Sequence, residues 1–289
     1  MPAPPTEQGA CYTDKRMARQ KLGQHFLSDA GWREKIARAI GISTHSIGGA
    51  RTGAPDSVWI EVGAGHGEMT RHLAATGSQV IAIEFDPPLA KRLGDLAGEF
   101  PNVRVLAGDV LKTDFATLAA GCRVRIYGNL PYYITSPILH HLFQFADSID
   151  EIHIVIQLEV AFRLAARPGT RDYGYLSVLT QYFSRPSLAM KIPPGAFQPP
   201  PEVSSALVSM RLPGERAKLP LADAAGFLEF VKLCFAQKRK TLVNNLRAIA
   251  EPDATRKALE QQGLRVDARA EQLSVAQLAA LRSALGTTS

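Results

Sequence analysis

The sequence predicts an α/β protein: a parallel sheet covered by helices on both faces, followed by a smaller all-helical carboxyl-terminal domain. Three observations carry this. Five apolar runs, SVWIEVG, QVIAIEFD, VRVLAGDV, RVRIYGNL and EIHIVIQ, recur between residues 57 and 157 with helix-like segments between them. The runs are nearly continuous rather than alternating, as strands buried on both faces must be. Beyond residue 224 no strand-like run occurs and helical patterns continue to the end.

The elements follow in order. MPAPPTEQGA is polar and Pro-rich, which marks residues 1–14 as a disordered tail. The basic stretch DKRMARQKLGQHFL runs into a helix over SDAGWREKIARAIG. Within the sheet region the helices are EMTRHLAATG, PPLAKRLGDLAGEF, TDFATLAAG and SPILHHLFQFAD, one after each of the first four runs, as crossovers between parallel strands require. LEVAFRLAAR is a further helix, a Gly- and Tyr-rich segment follows it, and residues 204–212 read as a last strand. PGERAKLPLAD is a linker, so we place one domain at residues 15–212 and a helical domain at 213–289.

Composition sets the outer bounds. Hydrophobic residues make up 46% and charged residues 21%, ordinary for a globular chain and inconsistent with global disorder. No apolar run reaches membrane-spanning length and the amino end lacks an apolar signal core, so a cytoplasmic protein is expected. Cys11, Cys122 and Cys234 are scattered, odd in number and without a C-x-x-C pair, which suggests neither disulfides nor zinc. His66, His72, His140, His141 and His153 show no ligand spacing, and no metal is expected. Thirty-three Lys and Arg against 27 Asp and Glu give +6, a mild pointer to a polyanionic partner. No heptad or exposed apolar stripe argues for a dimer, so a monomer is expected.

The first chemical constellation is EVGAGHGEMT. Gly63, Gly65 and Gly67 alternate directly after a strand and directly before a helix, where a ligand must come close to the backbone. The spacing is not the G-x-G-x-x-G of dinucleotide sites, which disfavours a nicotinamide oxidoreductase. Glu84 ends the next strand, 21 residues after Gly63, where an acid can bind a ribose. Asp109 ends the one after, where a carboxylate can accept from an adenine amine. Each acid alone is an ordinary helix cap; together, at successive strand ends, they make a site. With adenine and ribose contacts but no Lys or Arg inside the turn to hold a phosphate, the cradle suits S-adenosylmethionine.

The strand RVRIYGN ends in Asn129, Leu130, Pro131 and two tyrosines, an odd composition for a polar turn. With KLGQHFL, EVGAGHGEMT, IEFDPPLA, GDVL, GNLPYYITSPIL, GYLSVLTQYF, IPPGAFQPPPEVSSALV and FAQKRKTLVNNL in this order from Lys21 to Leu246, and EQLSVAQ near the end, the chain resembles the bacterial small-subunit (16S) ribosomal RNA adenine dimethyltransferases. The resemblance implies a Rossmann-like, S-adenosylmethionine-dependent methyltransferase sheet, and NLPY as the adenine N6 methylation motif. An adenine N6 lone pair is delocalised into the ring, so the amine must be turned toward tetrahedral geometry before it can attack a methyl group. The Asn129 side-chain oxygen and the Leu130 carbonyl can accept its two hydrogens, and Pro131 holds Leu130 extended. Tyr132 offers a face to a base drawn out of its stack, and Phe197 is implied as the aromatic on the other face. The resemblance also carries His25, Leu27 and Asn129 to the cofactor.

The implied substrate is a pair of adjacent adenosines in the 3′-terminal hairpin of small-subunit ribosomal RNA, presented on a partly assembled subunit. Rival readings are a resistance-type enzyme of the large subunit and an assembly factor whose chemistry is secondary. FAQKRKTLVNNLR sets Lys238, Arg239, Lys240 and Arg247 on a helix opening the small domain, with Arg239 and Arg247 nearly aligned. Together with DKRMARQK they would track RNA phosphates beside the cleft.

Overall fold

The computed structural model describes residues 25–42, 58–219 and 223–286. The predicted tail and the basic stretch before His25 lie outside the described residues. The chain enters through a short strand, β1 (Phe26–Leu27), and helix α1 (Ala30–Ala39). Strands and helices then alternate: β2 (Val58–Val62), α2 (Glu68–Ala74), β3 (Gln79–Glu84), α3 (Pro87–Glu99), β4 (Val103–Ala107), α4 (Phe115–Ala119), β5 (Val124–Asn129), α5 (Thr135–Gln144), β6 (Ile149–Gln157). Helices α6 (Leu158–Ala165) and α7 (Tyr175–Phe183) precede β7 (Arg185–Ile192), β8 (Phe197–Gln198) and β9 (Ser205–Arg211). The carboxyl-terminal part consists of α8 (Ala224–Cys234), α9 (Leu242–Asn245), α10 (Pro252–Gln261) and α11 (Val275–Ala284).

The main sheet has seven strands in the order β4-β3-β2-β5-β6-β9-β7. Its first five are parallel, as predicted, and β9 runs antiparallel between β6 and β7. The apolar runs bury both faces because successive residues point to opposite sides. Ile60, Ile83 and Ile126 enter one core, while Trp59, Val80 and Tyr127 enter the other with Ile36, Ile40 and Leu73. The order of strand addition reverses at the β2–β5 boundary, which opens a crevice at the carboxyl ends of these parallel strands, the usual ligand position in such sheets.

Two elements differ from the sequence expectation. The Gly- and Tyr-rich segment contains α7, whose Ser177, Val178, Leu179 and Thr180 are buried. Gly174 begins it: the Ser177 hydroxyl accepts from the Gly174 N–H at 3.1 Å. Strand β7 alternates exposed and half-buried residues and carries Pro186, which only an edge strand tolerates. Its weak pattern reflects that edge position.

The helical part shares the first core with the sheet layer. Phe227, Phe230, Leu259, Leu278 and Leu281 belong to the same buried cluster as Phe143, Tyr182 and Phe183. Asp223 caps α8 by accepting from the Gly226 N–H at 2.9 Å, and Arg282 of α11 holds the same carboxylate at 2.7 Å. No described helix is long and apolar enough to cross a membrane.

Candidate active site

The crevice is lined by the carboxyl ends of four parallel strands. Gly63 and Gly65 follow β2, Glu84 closes β3, Asp109 follows β4, and Asn129 ends β5 with Leu130, Pro131 and Tyr132 after it. His25 forms part of the rim. Nine of the residues predicted from sequence therefore meet in one cleft.

The glycine turn is built for close approach. Gly65 has φ +60°, and a Cβ there would come within 3.1 Å of the Phe26 ring. The Gly65 N–H donates to Glu84 Oε2 at 2.7 Å, and the Asp86 N–H donates to Oε1 at 2.9 Å. Glu84, 3% exposed, thus organises the loop through one lone pair on each oxygen and keeps others for a ligand. Asp109 caps the turn after β4 by accepting from the Leu111 N–H at 3.0 Å, which leaves Oδ2 for the cleft. Both the capping role and the ligand role fit in one carboxylate.

Beneath this turn lies Glu61, wholly buried. Desolvation pushes its pKa up to about 8, with Glu68 and Glu84 adding to the rise, while the hydrogen bond from the Thr70 hydroxyl at 2.5 Å opposes it. Because the folded value exceeds the ordinary 4.5, its stabilising share is complete below pH 4.5 and disappears as pH climbs toward 8. Glu61→Gln keeps an acceptor for Thr70 and removes the titration. It should be more stable than the parent by about 4 kcal/mol at pH 8 and show little difference at pH 4 in denaturant melts. Equal stability of the two proteins at both pH values would show that Glu61 does not titrate this way.

The second half of the cleft is the NLPY corner. A Cβ on Gly128 would meet Leu130 Cδ2 at 2.8 Å, so this glycine makes the seat for the Leu130 side chain. Leu130 is 2% exposed and lines the cleft. Asn129 Nδ2 donates to the His25 carbonyl at 2.8 Å. A carbonyl can only accept, so the amide nitrogen must face it and Oδ1 occupies the other arm. The Tyr132 hydroxyl pairs with Ser205 Oγ at 2.8 Å, and burial raises its pKa.

Other residues fall elsewhere. Leu27 and Phe197 do not line the cleft: they pair across β1 and β8 and are 6% and 2% exposed in the second core. In this arrangement Phe197 is a core plug, and reaching a base would require the β1–β8 pair to shift. Lys238, Arg239 and Lys240 do not stand on a helix. Asn245 Nδ2 donates to the Cys234 carbonyl at 2.7 Å where α8 ends, and Thr241 caps the next short helix, so the basic run is an exposed turn. Arg247 follows α9 on the surface, which removes its helical alignment with Arg239. Lys238 and Arg239 instead share a hollow with Arg171, Arg269 and Glu271, and Lys238 Nζ donates to the Arg171 carbonyl at 2.6 Å.

Sequence reasoning missed the apolar half of the cleft. Phe26, Phe85, Leu111 and Tyr133 line it, and Phe85 and Tyr133 are 64% and 60% exposed. The available signal was an apolar residue directly after, or two after, a strand-end carboxylate, where solvent-facing turns are ordinarily polar. Among the described residues no Lys or Arg lines the cleft, whereas Glu84 and Asp109 do. Such walls fit a planar, cationic nucleoside and suit a phosphate poorly. Among the described residues no group of three His, Cys, Asp or Glu side chains can hold a metal ion.

Known proteins match nearly the whole chain. Ribosomal RNA small subunit methyltransferase A of Koribacter versatilis is 39% identical over 284 residues, 94% of this chain and 95% of that protein. Its counterpart in Acidobacterium capsulatum is 43% identical over 263 residues, 90% of this chain and 89% of that one. The crystal structure of 23S rRNA methyltransferase ErmE aligns with a TM-score of 0.66 at 27% identity, covering 91% of this chain and all of that one. A dimethyladenosine transferase from Plasmodium falciparum shares the fold with a TM-score of 0.72 at 22% identity, covering 89% of this chain and 96% of the other. The ribosomal RNA adenine dimethylase model matches residues 15–285, glycine turn, strand-end acids and NLPY corner included, and the chain belongs to that family.

Proposed function

We propose that this enzyme uses S-adenosylmethionine to dimethylate N6 of two adjacent adenosines in the 3′-terminal hairpin of 16S ribosomal RNA, on a partly assembled small subunit in the cytoplasm. The observation that carries the chemistry is the Asn129 amide, fixed by the His25 carbonyl so that Oδ1 remains for the target amine. The choice of small-subunit RNA rests on the curated relatives, which are named for that subunit and reach 39–43% identity against 27% for the large-subunit enzyme ErmE.

Glu84 and Asp109 would hold ribose and adenine of the cofactor, and Gly63 and Gly65 would let it come close to the main chain. The bound cofactor supplies an activated methyl group. Asn129 Oδ1 and the Leu130 carbonyl accept the two N6 hydrogens and aim the lone pair, while Tyr132 supports the ring. Methylation makes the nitrogen cationic and therefore acidic, so alignment matters more than a strong base. The exposed Lys238, Arg239 and Lys240 turn, with Arg171 and Arg269 beside it and Arg247 on the surface nearby in sequence, serves the RNA backbone. On this reading chemistry lies in residues 15–212, and RNA docking falls mainly to 213–289 with Arg171 beside it.

Labelled methyl transfer to isolated small and large subunits lacking the modification tests the reading. Label is expected in small subunits; label confined to large subunits would move the enzyme to the resistance-type reading, and tight binding without label would favour an assembly role. Replacing Lys238, Arg239 and Lys240 together by Ala should lower the slope of log affinity against log salt by about 2–3, since each phosphate contact contributes about 0.7–0.9. An unchanged slope would take this turn out of the RNA surface.

A further inference from the structure

We propose that His25 is a positioning residue for the target base, setting the gap between the NLPY corner and the loop that follows Phe197. The inference rests on the adenine reading above and adds a base-side role to a residue otherwise assigned to the cofactor. Three contacts radiate from it. Its carbonyl accepts from Asn129 Nδ2 at 2.8 Å. Its ring stacks on Tyr132 with 5.6 Å between centroids and 29° between planes. Its Nδ1 lies 2.9 Å from the Pro199 carbonyl, which can only accept, so Nδ1 carries a proton and donates.

Tyr132 is therefore held at two points, by Ser205 at the hydroxyl and by His25 at the ring. The groups joined come from β1, the end of β5 and the stretch between β8 and β9, segments far apart in sequence. No single element fixes their spacing. His25, directly before β1, touches the other two segments and supplies the common reference. Productive alignment of an amine with a methyl group tolerates only about 0.5 Å of error, so a residue that sets this gap governs transfer without touching the reacting atoms.

His25→Ala keeps the main-chain carbonyl for Asn129 and removes the ring and its bond to Pro199. Methyl transfer to unmodified small subunits should fall about 10- to 100-fold in kcat/KM, with cofactor Kd by calorimetry changed less than about threefold. His25→Asn can still donate to Pro199 and His25→Phe can still stack on Tyr132, so each should recover part of the loss. Unchanged transfer in the Ala variant would overturn the proposal, as would a cofactor Kd weakened as far as transfer falls. A crystal structure of the Ala variant reads the same point without substrate: Tyr132 and residues 197–199 should move apart, and positions retained within about 0.5 Å would contradict the role. If the parent enzyme itself transfers no methyl to small subunits, the functional reading fails, and the structure of the variant still decides His25.

Discussion

Asn129→Ala should lower single-turnover methyl transfer about 10²–10³-fold while cofactor affinity stays within about tenfold of the parent. The variant loses the Oδ1 acceptor for the amine and also the Nδ2 bond to the His25 carbonyl. The N6 lone pair then stays delocalised into the ring's π system for most of the time, and a correctly placed methyl group meets a poor nucleophile. Asn129→Asp separates the two roles: it supplies oxygens toward the amine but sets a carboxylate against the His25 carbonyl, two acceptors facing each other. It should also be slow. Parent-like transfer rates in the Ala variant would remove the lone-pair argument.

Glu84→Ala should weaken S-adenosylmethionine binding at least about 100-fold, because hydrogen bonds to a buried carboxylate contribute about 1.5–3 kcal/mol each. On the proposed reading, loop and ligand are coupled through this side chain. The N–H groups of Gly65 and Asp86 lose their acceptor together with the cofactor's hydroxyls. Glu84→Gln retains an acceptor and should lie between the two. An unchanged dissociation constant by calorimetry would remove Glu84 from the cradle.

Much of this site is legible in the sequence because it sits where strands end. The apolar runs fix the strand positions, and in a parallel sheet the residue that closes each run points into the crevice whatever the helices do. Gly63, Glu84, Asp109 and Asn129 are found this way. Phe26 and Phe85 are not, since an aromatic beside a strand is ordinarily core, and only the folded chain shows that Phe85 faces out at 64% exposure. Phe197, which the resemblance implies over the base, is held by β1–β8 pairing in the core of this structure. The Lys238–Lys240 turn was read as helix because nothing local breaks the pattern. Asn245, which closes α8 at Cys234, acts from 11 residues further along the chain.

The family assignment and the cleft geometry converge on one chemical product. Enzyme, labelled S-adenosylmethionine and unmodified small subunits should yield label as N6,N6-dimethyladenosine at two adjacent nucleotides of the 3′ hairpin, identified by digestion and mass spectrometry. Label at a ring nitrogen, on a ribose, or at adenosines outside that hairpin would contradict the account.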